Sequence, residues 1–348
     1  MPSIDVATDN GEMKQRQAER ERELVCVTGA GGFIGSWVVK ELLLRGYRVR
    51  GTARDPADRK NAHLLALEGA EERLTMCRAD VLDYDGLGAA FHGCHGVFHV
   101  ASPVSNDPDL VPVAVEGTRN VIRAAADAGV RRVVFTSSYG AVHMDPNRSP
   151  DAVLDEACWS DYDFCKNTGN LYCCAKMMAE ITATEEAAKR GLELAVVVPS
   201  MTMGPMLQQA LNFSSSHVAR YLTGPPLTTY PTPSPPTPTS ATSPVHTSSS
   251  TSTPDARGRY LCIGAVLHRA HFLQLLGDLF PQYHVTAKCE DDGKPMEKPY
   301  KFSNRRLREL GLEFTPLNES LYETVTCLQK KGHLSLPVSL IAQKRAYL

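Results

Sequence analysis

A chain of 348 residues, 43% hydrophobic and 22% charged, has the balance of a folded protein with about two domains' worth of chain. That composition excludes a wholly disordered or collagen-like molecule. With 37 Lys and Arg against 39 Asp and Glu the net charge is −2, which gives no electrostatic case for nucleic acid as a partner; no apolar run nears the roughly 20 residues of a membrane span.

Residues 1–23 mix both charge signs without an apolar core, so they are expected to be a disordered extension and neither a secretory signal nor a transit peptide. The expected address is the cytosol, where ten cysteines should remain reduced thiols. No CxxC pair has a matching second pair, and no metal site is expected. From Leu24 the chain alternates strands and helices. Strands are predicted over 24–28, 47–52, 74–78, 96–101, 132–137 and 194–199. Phe33, Ile34, Trp37, Val38 and Leu42 recur at helical spacing, and Arg45-Gly46 closes that helix. Further helices are predicted over 85–92, 111–129 and 173–190. Such alternation, with continuous apolar strands, predicts a doubly wound α/β fold whose parallel sheet is covered on both faces.

Leu227 to Pro254 breaks this pattern, since 23 of its 28 residues are Ser, Thr or Pro and none is charged. Read literally it is a disordered or extended loop, because it cannot bury enough apolar area to offset ordering entropy. A strand over 259–262 and helices over 268–280, 304–310 and 317–329 are expected beyond it. The resulting division is a dinucleotide-binding domain over 24–200, a smaller lobe over 201–335 interrupted by 227–254, and a tail over 336–348.

The first chemistry lies in Thr28-Gly29-Ala30-Gly31-Gly32-Phe33-Ile34-Gly35, a G-x-x-G-x-x-G pattern between strand and helix. Its glycines permit a tight turn, close approach to a pyrophosphate and close helix packing, while the helix start offers free N–H groups to phosphates. At the end of the next strand Arg54, with Lys60 beyond it, suits the 2′-phosphate of NADP. Asp55 next door keeps NAD as the alternative.

Tyr172 and Lys176 stand at i and i+4 on one predicted helix face, which lets an ammonium sit near a phenol and lower its pKa. Such a phenol can protonate a carbonyl oxygen as hydride arrives. Thr136-Ser137-Ser138 follows a buried strand and brings hydroxyls to the sheet's carboxyl edge, where doubly wound folds hold ligands.

Longer stretches carry a resemblance: VCVTGAGGFIGSWVVK (25–40), GCHGVFHVASPV (93–104), RRVVFTSSYGAV (131–142), DEACWSDYDFCKNTGNLYCCAK (155–176) and KPYKFSN (298–304). The chain resembles the extended short-chain dehydrogenase/reductases and, within them, the plant cinnamoyl-CoA reductases, from about Val25 to Gly332 apart from the Ser/Thr/Pro stretch. The resemblance implies NADPH-dependent reduction of a hydroxycinnamoyl-CoA thioester to the aldehyde, with Ser138, Tyr172 and Lys176 catalytic. It implies that Thr28, Gly29, Gly31, Gly32, Phe33, Ile34, Arg54, Lys60, Asp80, Val81, Ala101, Tyr172, Lys176 and Pro199 bind NADP. It also implies that Ser138, Tyr139, Met201, His217 and Arg220 meet the substrate, a small molecule, with no membrane or nucleic acid involved. Cys165 and Cys173 match family positions and flank the tyrosine, either as a redox pair or as two reduced thiols.

Departures bear on the substrate. The family's N-W-Y-C-Y-G-K is Asn170-Leu171-Tyr172-Cys173-Cys174-Ala175-Lys176 here, which removes two aromatic surfaces beside the tyrosine. Pro199-Ser200-Met201-Thr202 replaces an apolar run, Arg220 replaces a lysine, and Met296 stands where an arginine could meet coenzyme A. Reduction of another aldehyde or ketone therefore stays open. Where the family carries a charged segment, Pro236 to Ser248 back-translated and read two nucleotides later permits Y-A-D-V-R-D-V-A-R-A-H-V. Residues from about 225 to 253 are read as frameshifted and restored at Pro254-Asp255; one intact frame in the resequenced transcript would refute this. A chain that truly carries the stretch lacks a strand and a helix of the lobe, and is expected to be an unstable or inactive dinucleotide-binding relic.

Overall fold

Nine strands, most of them short and apolar, form in the computed structural model, which describes residues 23–105, 107–223, 256–285 and 299–335. They are β1 (Leu24–Thr28), β2 (Arg48–Ala53), β3 (Leu74–Arg78), β4 (Gly96–His99), β5 (Arg132–Thr136), β6 (Val153–Leu154), β7 (Glu193–Pro199), β8 (Gly258–Cys262) and β9 (Lys301–Phe302). Seven of them make one sheet in the order β3-β2-β1-β4-β5-β7-β8, and every pairing in it is parallel. β6 and β9 pair separately. The first six predicted strands agree with the observed ones to within two residues. Their apolar runs are buried throughout at β5, whereas β3, at the sheet's edge, is only half-buried.

The labelled helices are α1 (Phe33–Leu44), α2 (Tyr84–Phe91), α3 (Leu110–Asp127), α4 (Tyr162–Asn167), α5 (Leu171–Arg190), α6 (Phe213–Thr223), α7 (Arg269–Leu279), α8 (Arg305–Glu309) and α9 (Leu317–Lys330). Side chains alternate across each strand, so neighbouring residues feed opposite layers. Cys26, Val97, Val133, Phe135, Val196 and Val198 point to one face and pack under Phe91, Val121, Ile122, Ala179 and Ala183 of α2, α3 and α5. Val25, Val27, Val134 and Val197 point to the other, against Val38, Val39, Leu42 and Leu43 of α1 and Leu307 of α8. Each large aliphatic buried this completely stabilises the fold by about 1.5–3 kcal/mol.

A third core lies beyond the sheet's carboxyl edge. Met203, Val218, Leu222, Phe272, Leu276, Val325 and Leu328 gather around Phe33 and Trp37, two residues of α1. Trp37 Nε1 donates to Pro205 O at 2.9 Å, and Gly204 N donates to Thr324 Oγ1 at 2.7 Å.

Three features depart from the sequence reading. The strand expected over 259–262 in the C-terminal lobe is β8, the seventh strand of the main sheet, paired with β7 from Ala195 to Pro199. Helix α6 carries Ser214-Ser215-Ser216, which has little intrinsic helix preference, and it forms because Val218, Ala219 and Leu222 bury one side. Helix α4 and the small β6–β9 pair, each two to six residues long, are too short for periodicity to reveal. The extension up to residue 22, the 227–254 stretch, Met296 and the tail over 336–348 lie outside the described residues.

Candidate active site

The topology changes direction between β1 and β4: β1 leads through α1 to β2 on one side, and β4 pairs with β1 on the other. In a doubly wound sheet the ligand crevice opens at the carboxyl ends of such strands. A cavity of about 1200 Å³ lies there. Its nucleotide end is the turn after β1. Gly29 has φ +65°, and a Cβ there would lie 2.9 Å from the Ala101 Cα, so only glycine fits. At Gly35 a Cβ would come within 2.2 Å of Gly29 O, which holds α1 tight against the turn. Helix α1 has no side-chain cap at its start, so its first N–H groups are open to an anion.

Thr28 fastens this turn to the neighbouring strand. Its Oγ1 accepts from the N–H groups of Val100 and Ala101, both at 3.1 Å, and therefore donates to His99 Nδ1 at 2.9 Å. Burial, together with the charge of Lys176, pushes His99 down to about 3, so this imidazole is neutral. Neither His99 nor Asn61 stood out in the sequence. Asn61 is buried, donates to Asp55 O at 2.9 Å, and places its Oδ1 where a Cβ on Gly31 would fall.

Arg54 and Lys60 both line the nucleotide end, as do Asp80, Val81, Ala101 and Pro199. Lys60 pairs with Asp58 at 2.9 Å. Asp55 is not a lining residue, because its Oδ1 accepts from Ala57 N at 3.0 Å within its own turn. The donor set therefore suits a 2′-phosphate better than a ribose hydroxyl needing a carboxylate.

The other end is built around α5. Asn170 caps that helix, accepting from Cys173 N at 3.3 Å, and Tyr172 sits in the first turn with Lys176 one turn on. Ser138, after β5, is buried, and Gly140 N donates to its Oγ at 3.2 Å. The Ser138 and Tyr172 hydroxyls are hydrogen-bonded to one another. Lys176 Nζ donates to Thr136 O at 2.8 Å and reaches Ser102 Oγ at 3.4 Å. Burial pushes this amine down to about 8, against the pull of Glu180. The expectation that Lys176 lowers the Tyr172 pKa needs correcting. Burial raises the phenol's pKa, the Ser138 hydrogen bond opposes that rise, and the ammonium is engaged by Thr136.

Tyr139, Met201, Thr202, Asn170, Asn212 and Phe213 complete the substrate end. Tyr139 stacks on His143, ring centroids 4.6 Å apart. Two residues expected to meet substrate stand elsewhere. His217 packs against Tyr221 and Phe272, with centroids 5.2 and 6.3 Å away, where burial pushes it down to about 3. Arg220 lies over Tyr221 and donates to its hydroxyl at 2.8 Å. Neither lines the cavity. Leu171 and Cys174, the two departures beside the tyrosine, do not line it either; Cys174 is buried with Met144, Cys165 and Cys173. Cys165 and Cys173 are both free thiols.

The profile of the NAD dependent epimerase/dehydratase family matches residues 25–231. Cinnamoyl-CoA reductase 1 of Oryza sativa subsp. japonica is 74% identical over 328 residues, which are 94% of this chain and 96% of that protein. Among solved structures, vestitone reductase from alfalfa (Medicago sativa L.) superposes with a TM-score of 0.77 at 27% identity, covering 90% of this chain and 100% of that one. Gre2 of Candida albicans in complex with NADPH gives 0.75 at 26% identity, covering 89% and 99%.

Proposed function

From the premise that the chain belongs to the NAD dependent epimerase/dehydratase family, among the cinnamoyl-CoA reductases, we propose that it reduces hydroxycinnamoyl-CoA thioesters to cinnamaldehydes. It is an NADP-dependent oxidoreductase acting on small molecules. The observation that carries the thioester reading beyond the family is where this chain departs from it. Neither Leu171 nor Cys174 is among the residues that line the cavity, so the two lost aromatics do not count against the thioester.

In this reading the glycine turn and the start of α1 receive the pyrophosphate, Arg54 receives the 2′-phosphate, and Asp80 with Val81 flanks the adenine. NADPH supplies the hydride that reaches the thioester carbonyl carbon. Ser138 and Tyr172 hold the carbonyl oxygen between their hydroxyls, and Tyr172 gives it a proton or stabilises its developing charge. Such donors aimed at a growing oxyanion are usually the largest catalytic contribution. Lys176 holds positive charge below them and meets the ribose hydroxyls. The C–S bond would then break as the carbonyl re-forms, and the proton supplied by Tyr172 would pass to the sulfur, so that coenzyme A departs as the thiol and the aldehyde remains.

No helix among the described residues is long and apolar enough to cross a membrane. Our reading places the enzyme in the cytosol, in keeping with nine free cysteines among those residues. It assigns 24–200 together with β8 to the nucleotide-binding part and the rest of 201–335 to the substrate lobe.

The test is NADPH oxidation with feruloyl-CoA against a panel of aldehydes and ketones. Tyr172→Phe should lower kcat by roughly 10²- to 10⁴-fold while NADPH still binds. Turnover of the panel but not of the thioester would overturn the substrate assignment. With Lys176 near 8, kcat/KM should fall as pH rises past about 8 and the ammonium is lost.

A further inference from the structure

One turn beyond Lys176, α5 carries Glu180, whose side chain is wholly buried. A carboxylate removed from water is costly unless it is paired and hydrogen-bonded. Ser137 Oγ donates to Glu180 Oε2 at 2.5 Å, and Arg259 Nε lies 2.5 Å from Oε1. Ser137 is the residue between Thr136, whose carbonyl holds Lys176, and Ser138. The carboxylate thus grips the strand end at the position between both functional contacts.

Arg259, on β8, is itself fixed. Its Nη1 donates to Glu156 O at 2.8 Å and Cys158 O at 2.7 Å, and its guanidinium lies 3.9 Å from the centre of the Trp159 ring. The charged groups facing Glu180 are Lys176 from its own helix and Arg259 from the edge strand. The titratable groups facing Lys176 are Glu180 and, from β4, the neutral His99, with the Phe135 ring 5.5 Å from its Nζ. Beyond Arg259, Glu156 Oε1 accepts from Leu261 N at 3.3 Å. Burial raises the Glu180 pKa, and Arg259, Ser137 and Lys176 hold it down.

We propose that Glu180 is a positioning residue for the reduction: through Ser137 and Lys176 it fixes α5 against the strand end that carries Ser138, with Arg259 of the edge strand holding it in place. The inference rests on the carbonyl-reductase reading of this site. Glu180 touches neither the substrate space nor the reacting atoms, since it is absent from the cavity wall. Its effect reaches the chemistry through the spacing of Ser138 from Tyr172 and through the charge beside Lys176.

The test uses the full-length protein labelled with ε-¹³C lysine, the Lys176 signal being assigned with Lys176→Met. Glu180→Gln keeps the shape and an acceptor for Ser137 but removes the charge. It should lower kcat by about 10- to 100-fold, as small misplacements at reacting centres do, and leave the KM for NADPH within about threefold. The Lys176 titration midpoint should fall, and the basic limb of the rate profile should move the same way. Glu180→Asp should restore the midpoint without restoring kcat. An unchanged kcat and midpoint in Glu180→Gln would overturn the proposal. So would a fall in kcat matched by a lower Tm with the midpoint unmoved, which marks a purely structural role. Should Glu180→Gln fail to fold, Ser137→Ala takes its place: a severalfold loss of kcat is expected, and wild-type kcat would overturn the proposal. If the wild-type enzyme leaves the thioester untouched, the substrate assignment fails, and the lysine titration still decides the role of Glu180.

Discussion

At its nucleotide end the cavity is walled by the strand–turn–helix unit Thr28 to Gly35, mostly glycine and backbone, and by side chains at the ends of neighbouring strands such as Arg54, Asp80 and Ala101. At its substrate end the walls are side chains from segments far apart in the chain: Ser138 and Tyr139, Asn170 to Lys176, Met201 and Thr202, and Asn212 to Ser214. The first end is set by close approach, where a single added carbon atom is fatal. The second is set by which side chains the tertiary fold turns inward. Substitutions should therefore act in an all-or-none way at the glycine turn and in a graded way at the side chains that line the rest of the cavity.

The sharpest break is Gly35→Val. The Cβ site lies 2.2 Å from Gly29 O, and backbone cannot yield there as a flexible side chain could. We expect about 1–3 kcal/mol or more of lost stability and no measurable NADPH binding in a fluorescence titration. Binding at wild-type strength would show that the turn can open. Arg54→Gln comes next. With the Asp55 carboxylate occupied by Ala57 N, loss of this guanidinium should reduce the preference for NADPH over NADH by about 10- to 100-fold, read from the ratio of kcat/KM. A smaller change would pass the role to Lys60, which would have to leave Asp58 to take it. The smallest effect is expected at the other end. His217→Gln lies behind the wall and should change the thioester KM by less than about threefold. A tenfold rise would mean that α6 rotates to bring this residue inward.

The same contrast explains what could be read from the residues in advance. Strand runs such as Val25–Val27 and the glycines that follow are local signals, and they placed the first six strands to within two residues. Tyr172 and Lys176 were legible because helical spacing is also local. The position of Lys176 Nζ was not, because its acceptor, Thr136 O, lies 40 residues away on another element. The pairing of β8 with β7 was hidden for a related reason, since Tyr260 and Leu261 give no local sign of which strand they join. His217 and Arg220 were expected at the substrate, but a helix of this composition presents them to Tyr221 and Phe272. Leu171 and Cys174 mislead in the opposite sense, being neighbours of Tyr172 in sequence and strangers to its cavity. The departures that do reach the wall are Ser200, Met201 and Thr202, and ring-substituent preference should be sought there.

Helix α1 serves two masters. Its first turn faces the crevice, while Phe33 and Trp37 on the same cylinder are keystones of the C-terminal interior, and the Trp37 indole is latched to Pro205. A rod shared in this way cannot tilt toward one tenant without being felt by the other, so the two halves of the enzyme are geared together before any ligand arrives.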